Sequence, residues 1–159
     1  MKFQPSVRVA VEGPLPRDFA LSRAALARAA AYFASRSSRR CRRRFAGVTV
    51  ILQHDADSDA VHRAVMGVDG ATDVITQRYD AMPGEEEGVW GELYVNVDQA
   101  RRVAPHRPGW SKERELELYV AHGMDHLSGA DDHAPADYAR MRRRELKWMG
   151  DLHEICEHT

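Results

Sequence analysis

Hydrophobic residues alternate with polar ones, or form short runs, in four segments that predict β-strands. Val7, Val9 and Val11 alternate with other residues in the first segment, which is the period of a half-buried strand. The second segment, GVTVILQ, is typical of a buried strand. The last two are rich in β-branched and aromatic residues, and an acidic loop separates them. The predicted strands are residues 6–12, 47–53, 72–79 and 89–97.

Apolar residues recur every three or four positions in other segments, which predicts amphipathic helices. In the first of these, an Ala-rich stripe runs from Leu21 to Phe33, and the Ser-Arg-rich residues 35–44 are expected to end the helix. Ser111 is a start signal for a later helix that continues through His126. The predicted helices are residues 18–35, 55–65, 98–104, 111–126 and 135–150.

These elements predict an α+β fold, in which a mixed sheet of about four strands is packed by about five helices. The sequence has no internal repeat or linker, so we expect one domain over residues 1–159. A composition of 43% hydrophobic and 30% charged residues is that of a globular protein. No apolar run approaches the roughly 18–20 residues of a membrane span, and the N-terminal residues lack the apolar region of a signal peptide. With Cys41 and Cys156 as the only cysteines, we expect a cytoplasmic protein without a disulfide framework.

The formal net charge of −1 conceals an uneven distribution of charge along the chain. Residues 1–50 contain eleven Lys and Arg against two acidic residues, whereas residues 51–159 contain twelve against twenty-two. Arg outnumbers Lys by 20 to 3. Guanidinium groups favour forked contacts with phosphate, but a bias in genome base composition explains the excess of Arg equally well. Near-neutrality therefore does not exclude binding to nucleic acid.

The segment AHGMDHLSGADDH contains the strongest candidate for a metal site. His122 and His126 are four residues apart on a predicted helix, so both imidazoles project from the same side, one turn apart. Gly129 permits a sharp helix exit that folds the chain back toward the pair. Three protein ligands would leave a fourth coordination position open for water, as catalytic zinc requires. The alternative is that the two histidines lie on a solvated helix face and bind no metal. The residues that could supply the third ligand are Asp131, Asp132 and His133.

The residues between the two histidines do not match the zincin metalloproteases. That class has its general-base Glu directly after the first His, and here the residue is Gly123. Asp125 is offset by about 100° from His126 around the helix. We expect Asp125 to be an exposed acid, and the alternative is that it orients a ligand or binds water.

The stretch HGMDHLSGADD resembles the H-G-x-L-H-L-x-G-Y-D-H signature of the YbeY endoribonuclease family, the bacterial ribosomal RNA maturation factors. Upstream, GATDVIT resembles the family's P-T-D-V-L-S stretch, and GELYVNV resembles its G-D-I-x-I strand. Downstream, Met141 and Glu145 match its M-x-x-x-E helix. The resemblance covers residues 48–150.

This resemblance implies a zinc ion, or another divalent metal, that is bound by His122, His126 and a third ligand. Counted in register, the family's third histidine falls on Asp132, and the spacing from Asp132 to the matching downstream helix needs no gap. We therefore expect Asp132 as the third ligand and keep His133, one residue later, as the alternative. A carboxylate is an acceptable zinc ligand, although it makes the site better suited to harder ions.

Two departures from the family pattern bear on catalysis. The family usually has Arg six residues before the Thr of its T-D-V motif, and that position is Met66. Arg63 or Arg78 could supply a cation from nearby. The family's S-F-P is replaced by Thr76, Gln77 and Arg78. These changes predict a remodelled substrate channel or weakened catalysis.

Two runs of arginine differ in their expected roles. The first has six Arg within nine residues. Such a cluster would bind RNA phosphates with salt-sensitive affinity, and the alternative is a solvated helix end. The second run, residues 140–144, is expected to be an exposed helix face that pairs with Asp137 and Glu145. The first run consists of Arg36, Arg39, Arg40, Arg42, Arg43 and Arg44.

The resemblance implies a metal-dependent endoribonuclease of single strands, with ribosomal RNA or a ribosomal subunit as its partner in ribosome biogenesis. The resemblance implies His122 and Asp132 as the catalytic residues. One alternative is a non-catalytic RNA- or ribosome-binding assembly factor with a structural metal, which Met66 favours. Another is a metal-dependent hydrolase of a different substrate.

Overall fold

The order of strands and helices along the chain is the one that the hydrophobic pattern predicts. The computed structural model describes residues 7–158. Within that range it confirms the α+β fold, with a four-stranded mixed sheet and five α-helices. The strands are β1 (Arg8–Glu12), β2 (Phe45–Gln53), β3 (Val74–Asp80) and β4 (Val89–Asn96). The helices are α1 (Arg23–Cys41), α2 (Asp55–Met66), α3 (Val97–Val103), α4 (Lys112–Leu127) and α5 (Pro135–Glu157), with a 3-10 turn at Ala104–His106.

The sheet has the order β1-β2-β4-β3. Strand β2 pairs in parallel with β1 and β4, and β3 pairs antiparallel with β4. Val50 of β2 and its register partner Leu93 of β4 are both fully buried. They lie on the face of the sheet that packs against α1 and α4, and this layer is the hydrophobic core. Ser6, the first residue of the first predicted strand, lies outside the described residues.

Helix α1 begins five residues later and ends six residues later than predicted. It begins after Ser22, whose side chain accepts a hydrogen bond from the Ala25 backbone amide at 3.0 Å. It continues through the Ser-Arg-rich segment because Ser37 is fully buried there, and its hydroxyl donates to the Met124 carbonyl of α4 at 2.6 Å. The first arginine run therefore begins on a helix and not in a loop.

Helix α4 is enclosed on several sides. Residues 115–125 are all buried, since α4 contacts α1, α3 and α5 as well as β3 and β4. Helix α5 extends seven residues beyond its predicted end, because Leu152 packs on the core and His153 lies 3.3 Å from the Glu117 carboxylate of α4. Among residues 7–158, no helix is long and apolar enough to cross a membrane.

Candidate metal centre

Two histidines of α4 have their Nδ1 atoms bound to acceptors. His122 Nδ1 lies 2.9 Å from Glu145 Oε2 of α5, and His126 Nδ1 lies 3.0 Å from the Ala130 carbonyl. A carbonyl oxygen can only accept a hydrogen bond, so the hydrogen of the neutral His126 ring is on Nδ1. A carboxylate of Glu145 favours the same tautomer for His122. In the neutral rings both Nε2 atoms are therefore acceptors.

These two Nε2 atoms and one oxygen of Asp132 converge on a single point. The Nε2 atoms are 3.1 Å apart, and Asp132 Oδ2 lies 3.4 Å from each of them. Three acceptors at such distances repel one another unless a cation or a proton lies between them. Ligands at about 2.0–2.1 Å from a tetrahedral zinc ion are about 3.3 Å apart, so these side chains fit a cation of that size.

His133, the alternative third ligand, lines the cavity beside these atoms but does not belong to the group of possible ligands that contains both helix histidines. Its side chain is 92% exposed, and its Nε2 lies 3.5 Å from Asp131 Oδ1. One group of possible ligands consists of Asp131, Asp132 and His133. Asp132 also belongs to the group that contains both helix histidines. The geometry therefore favours Asp132 as the third ligand.

The turn after α4 explains how the chain returns Asp132 to the helix. Gly129 follows the helix with φ +90°, a conformation that glycine adopts without steric cost. Its amide donates to the His126 carbonyl at 2.9 Å, and the next carbonyl, that of Ala130, accepts from the His126 ring. The same turn therefore positions one candidate ligand and orients another.

Gly123, directly after the first histidine, is required by the packing of α4 on the sheet. A Cβ atom there would lie 2.5 Å from Leu93 Cδ2 and 3.3 Å from Thr76 Oγ1. A larger side chain would therefore force the buried Leu93 side chain to shift. This close contact disfavours the glutamate that a zincin has at this position.

A pair of fully buried carboxyl groups, Asp125 and Glu145, lies close to the histidines. The expectation that Asp125 is an exposed acid is wrong, because α5 covers it. Arg144 of α5 donates to Asp125 at 2.9–3.2 Å, and Arg40 Nε lies 3.8 Å away. Burial raises the pKa of Asp125 to about 6; Arg144 opposes this shift, and the neighbouring Glu145 adds to it.

Glu145 also controls the basicity of His122. Burial lowers the pKa of His122, but the hydrogen bond to Glu145 and its negative charge outweigh burial and raise the pKa above its ordinary value. A carboxylate on the outer nitrogen of a metal-binding histidine has this effect, and it fixes the ring orientation as well. The other oxygen of Glu145, Oε1, is buried and has no hydrogen-bond partner among the described residues.

An open cavity of about 700 Å³ borders the three candidate ligands. Met66 lies in its wall with 62% of its surface exposed. Arg63 and Arg78 were the two candidates to replace the family's arginine. Arg78 lies in the cavity wall, whereas Arg63 pairs with Asp59 and Asp69. Asp73 is a further carboxylate in the wall, and its Oδ1 accepts a hydrogen bond from the Val74 amide.

Arg142 of α5 lies in the same wall and was missed by the sequence analysis. Its guanidinium group lies over the Tyr138 ring, 5.4 Å from the centroid, and its Nη2 donates to the Tyr138 hydroxyl at 2.9 Å. Its Nε is 3.9 Å from Glu145 Oε1. Its Nη1 is buried, without a hydrogen-bond partner in residues 7–158. Helical spacing places Arg142 beside Tyr138 and Glu145, but the sequence does not show that this face meets α4.

The six arginines of the first run do not form one surface. Arg36, Arg39 and Arg40 line a groove between α1 and α5. Arg44 instead pairs with Glu86, in the loop between β3 and β4. The remaining two, which are exposed and follow the end of α1, are Arg42 and Arg43.

Comparisons with known proteins agree with the resemblance seen in the sequence. The family model described as Endoribonuclease YbeY matches residues 20–153. The Endoribonuclease YbeY of Anaeromyxobacter sp. (strain Fw109-5) is 35% identical over 142 residues, which are 89% of this chain and 69% of that protein. That of Thermus thermophilus is 39% identical over 100 residues, 61% of this chain and 70% of that protein. The solution structure of TM1509 from Thermotoga maritima has the same fold, with a TM-score of 0.57, 20% identity and 95% of each chain covered.

Proposed function

Because this chain belongs to the YbeY endoribonuclease family, we propose that it is a metal-dependent endoribonuclease that cleaves single-stranded ribosomal RNA during ribosome biogenesis. One observation carries the proposal: acceptor atoms of His122, His126 and Asp132 converge within 3.4 Å of one another. A bound cation would stabilise these three closely spaced acceptor atoms and could then take part in the reaction.

The proposed cation is Zn²⁺, bound by His122, His126 and Asp132. Imidazole and carboxylate are ligands that zinc accepts, and three protein ligands leave one position for water or substrate. When bound, the ion acts as a Lewis acid that polarises water and phosphate oxygens. Glu145 orients the His122 ring so that its Nε2 atom faces the site. The oxygen ligand from Asp132 also makes the site tolerant of harder divalent ions.

Arg78 and Arg142 are the proposed phosphate-binding groups, in place of the arginine that Met66 replaces. Both side chains line the cavity beside the ligands. A guanidinium group can bind two phosphate oxygens at once. Tyr138 orients the guanidinium group of Arg142. These cations favour a catalytic role over the assembly factor that Met66 suggested.

The proposed partner is ribosomal RNA, free or within a ribosomal subunit, in the cytoplasm. The basic first third of the chain supports this partner, since residues 1–50 contain eleven Lys and Arg against two acidic residues. Arg36, Arg39 and Arg40 lie in a groove and are the members of the first run best placed to bind RNA.

An RNA cleavage assay tests the activity. Structured ribosomal RNA is incubated with zinc-loaded wild-type protein and with the His122→Ala variant. We expect cleavage by the wild type and loss of cleavage in the variant, because the variant lacks one of three ligands. Equal, negligible cleavage with retained RNA binding would reject the nuclease and favour an assembly factor. Cleavage of small esters or peptides, but not of RNA, would indicate a different hydrolase.

Metal content in two neighbouring variants tests the ligands separately from activity. Asp132→Ala should lose bound zinc, whereas His133→Ala is the matched control and should retain one ion per chain. Elemental analysis after dialysis against zinc measures both. Full occupancy in Asp132→Ala together with loss in His133→Ala would show that His133 is the third ligand.

A further inference from the structure

Two groups of basic residues that are far apart in the sequence meet in one groove between α1 and α5. The groove has a volume of about 520 Å³, and buried Trp148 is part of its wall. Its lining contains no acidic residue within the described part of the chain. The predicted pairings of the second arginine run are present for Arg140 with Asp137 and for Arg142 with Glu145, but part of that run faces the groove. The cations of the groove are Arg36, Arg39, Arg40, Arg143, Arg144 and Lys147.

Two aspartates beside the groove balance only part of this charge. Buried Asp125 holds Arg144 through hydrogen bonds and lies 3.8 Å from Arg40. Asp151 of α5 pairs with one of the arginines at 3.7 Å and with the lysine at 3.1 Å. Counted over the described residues, the six cations that line the groove outnumber these two aspartates by four. Such a surface favours a polyanion.

The groove and the candidate metal centre both border a third, smaller cavity. A smaller cavity of about 160 Å³ shares Arg40 and Arg144 with the groove. On its other side it shares Ala130 and Asp131 with the metal cavity. A strand bound in the groove can therefore continue past the turn after α4 to the three ligands.

We propose that this α1–α5 groove binds the phosphodiester backbone of the RNA strand whose cleaved bond lies at the metal centre. The inference rests on the proposed ribonuclease function and adds a path for the substrate. Arginines from two helices would contact neighbouring phosphates without reading the bases. Arg40 and Arg144 are held in place by Asp125, so less side-chain freedom is lost on binding. An acidic protein would also suit the charge, but the short distance to the metal cavity across the smaller cavity favours the substrate.

Equilibrium binding of a labelled single-stranded RNA to the metal-free protein tests the groove without cleavage. The variant Arg39→Gln/Arg143→Gln removes one cation from each helix at exposed positions. The matched control is Arg17→Gln/Arg28→Gln, which changes the charge equally at exposed positions outside the groove. Zinc content is measured in all three proteins, since damage to the metal centre would change it and loss of the groove would not.

We expect the groove variant to bind RNA about tenfold more weakly, while the control binds like the wild type. The slope of log Kd against log salt concentration should fall by about 1.4, because each lost contact with a single-stranded phosphate contributes about 0.7. Equal weakening in the control, or unchanged binding in the groove variant, would overturn the proposal. Equally strong competition by polyglutamate would overturn the assignment to RNA. RNA binding through the groove without cleavage by zinc-loaded protein would reject the nuclease and leave the groove as an RNA site.

Discussion

The buried carboxyl group of Asp125 should make the folded protein less stable as the pH rises. Its pKa is about 6 in the folded protein, against an ordinary value of 3.8. Between these values the folded state binds more protons than the unfolded state, so the free energy of unfolding falls as the pH rises. A difference of about two pKa units corresponds to a loss of about 3 kcal/mol, complete above about pH 6.

The variant Asp125→Asn keeps the shape of the side chain and removes its charge. We expect it to match the wild type near pH 4 and to be more stable by up to about 3 kcal/mol at pH 8. Arg144, whose side chain is 24% exposed, can then turn its guanidinium group toward water. Urea unfolding at several pH values, with a chelator present to exclude metal binding, measures the difference. The control is Asp137→Asn, in which the lost ion pair with Arg140 is exposed and contributes less than about 1 kcal/mol.

Two results would refute this reasoning. If Asp125→Asn is less stable than the wild type at pH 8, the hydrogen bonds from Arg144 outweigh the cost of burying the charge. If both proteins have the same dependence on pH, Asp125 does not titrate with a raised pKa.

Three further predictions concern α4 and its neighbours. Glu145→Gln should weaken zinc binding by about 10–100-fold, because the carboxylate that orients His122 is lost. A chelator competition assay measures the affinity, and an unchanged affinity would contradict the orienting role of Glu145. Gly123→Ala should lower the free energy of unfolding by about 1–3 kcal/mol, since its Cβ would overlap a β4 side chain. Gly150→Ala, with open space around its Cβ, is the control and should not destabilise the protein. Burial raises the pKa of Glu117, so the wild type should lose stability as the pH rises above 4.5, and Glu117→Gln should unfold in urea with a weaker dependence on pH.

Local patterns were sufficient to predict the elements of this fold but not their contacts. Alternation and helical spacing identified each strand and helix, because those periods follow from backbone geometry. The end of α1 was missed because Ser37 is buried only when its hydroxyl meets the Met124 carbonyl of α4. The end of α5 was missed because its last turns depend on α4, through the contact of His153 with Glu117.

In the candidate metal centre, too, some residues could be predicted from local patterns and others depend on contacts between helices. His122, His126 and Gly129 could be identified from the sequence, since four-residue spacing and a glycine exit are local features. The contact of Glu145 with His122 joins residues 23 positions apart and depends on how α5 crosses α4. The placement of Arg142 in the cavity depends on the same crossing.

Asp125 connects the metal centre with the groove. The YbeY signature has Leu at this position, and a leucine would bind neither arginine. The carboxyl group whose pKa is raised by burial also binds Arg144 and lies beside Arg40, near the small cavity between the groove and the candidate metal centre. It also adjoins Glu145, which orients His122. A costly buried charge is more readily explained by this position between two sites than by stability, because natural proteins accept local destabilisation where function requires a fixed charge.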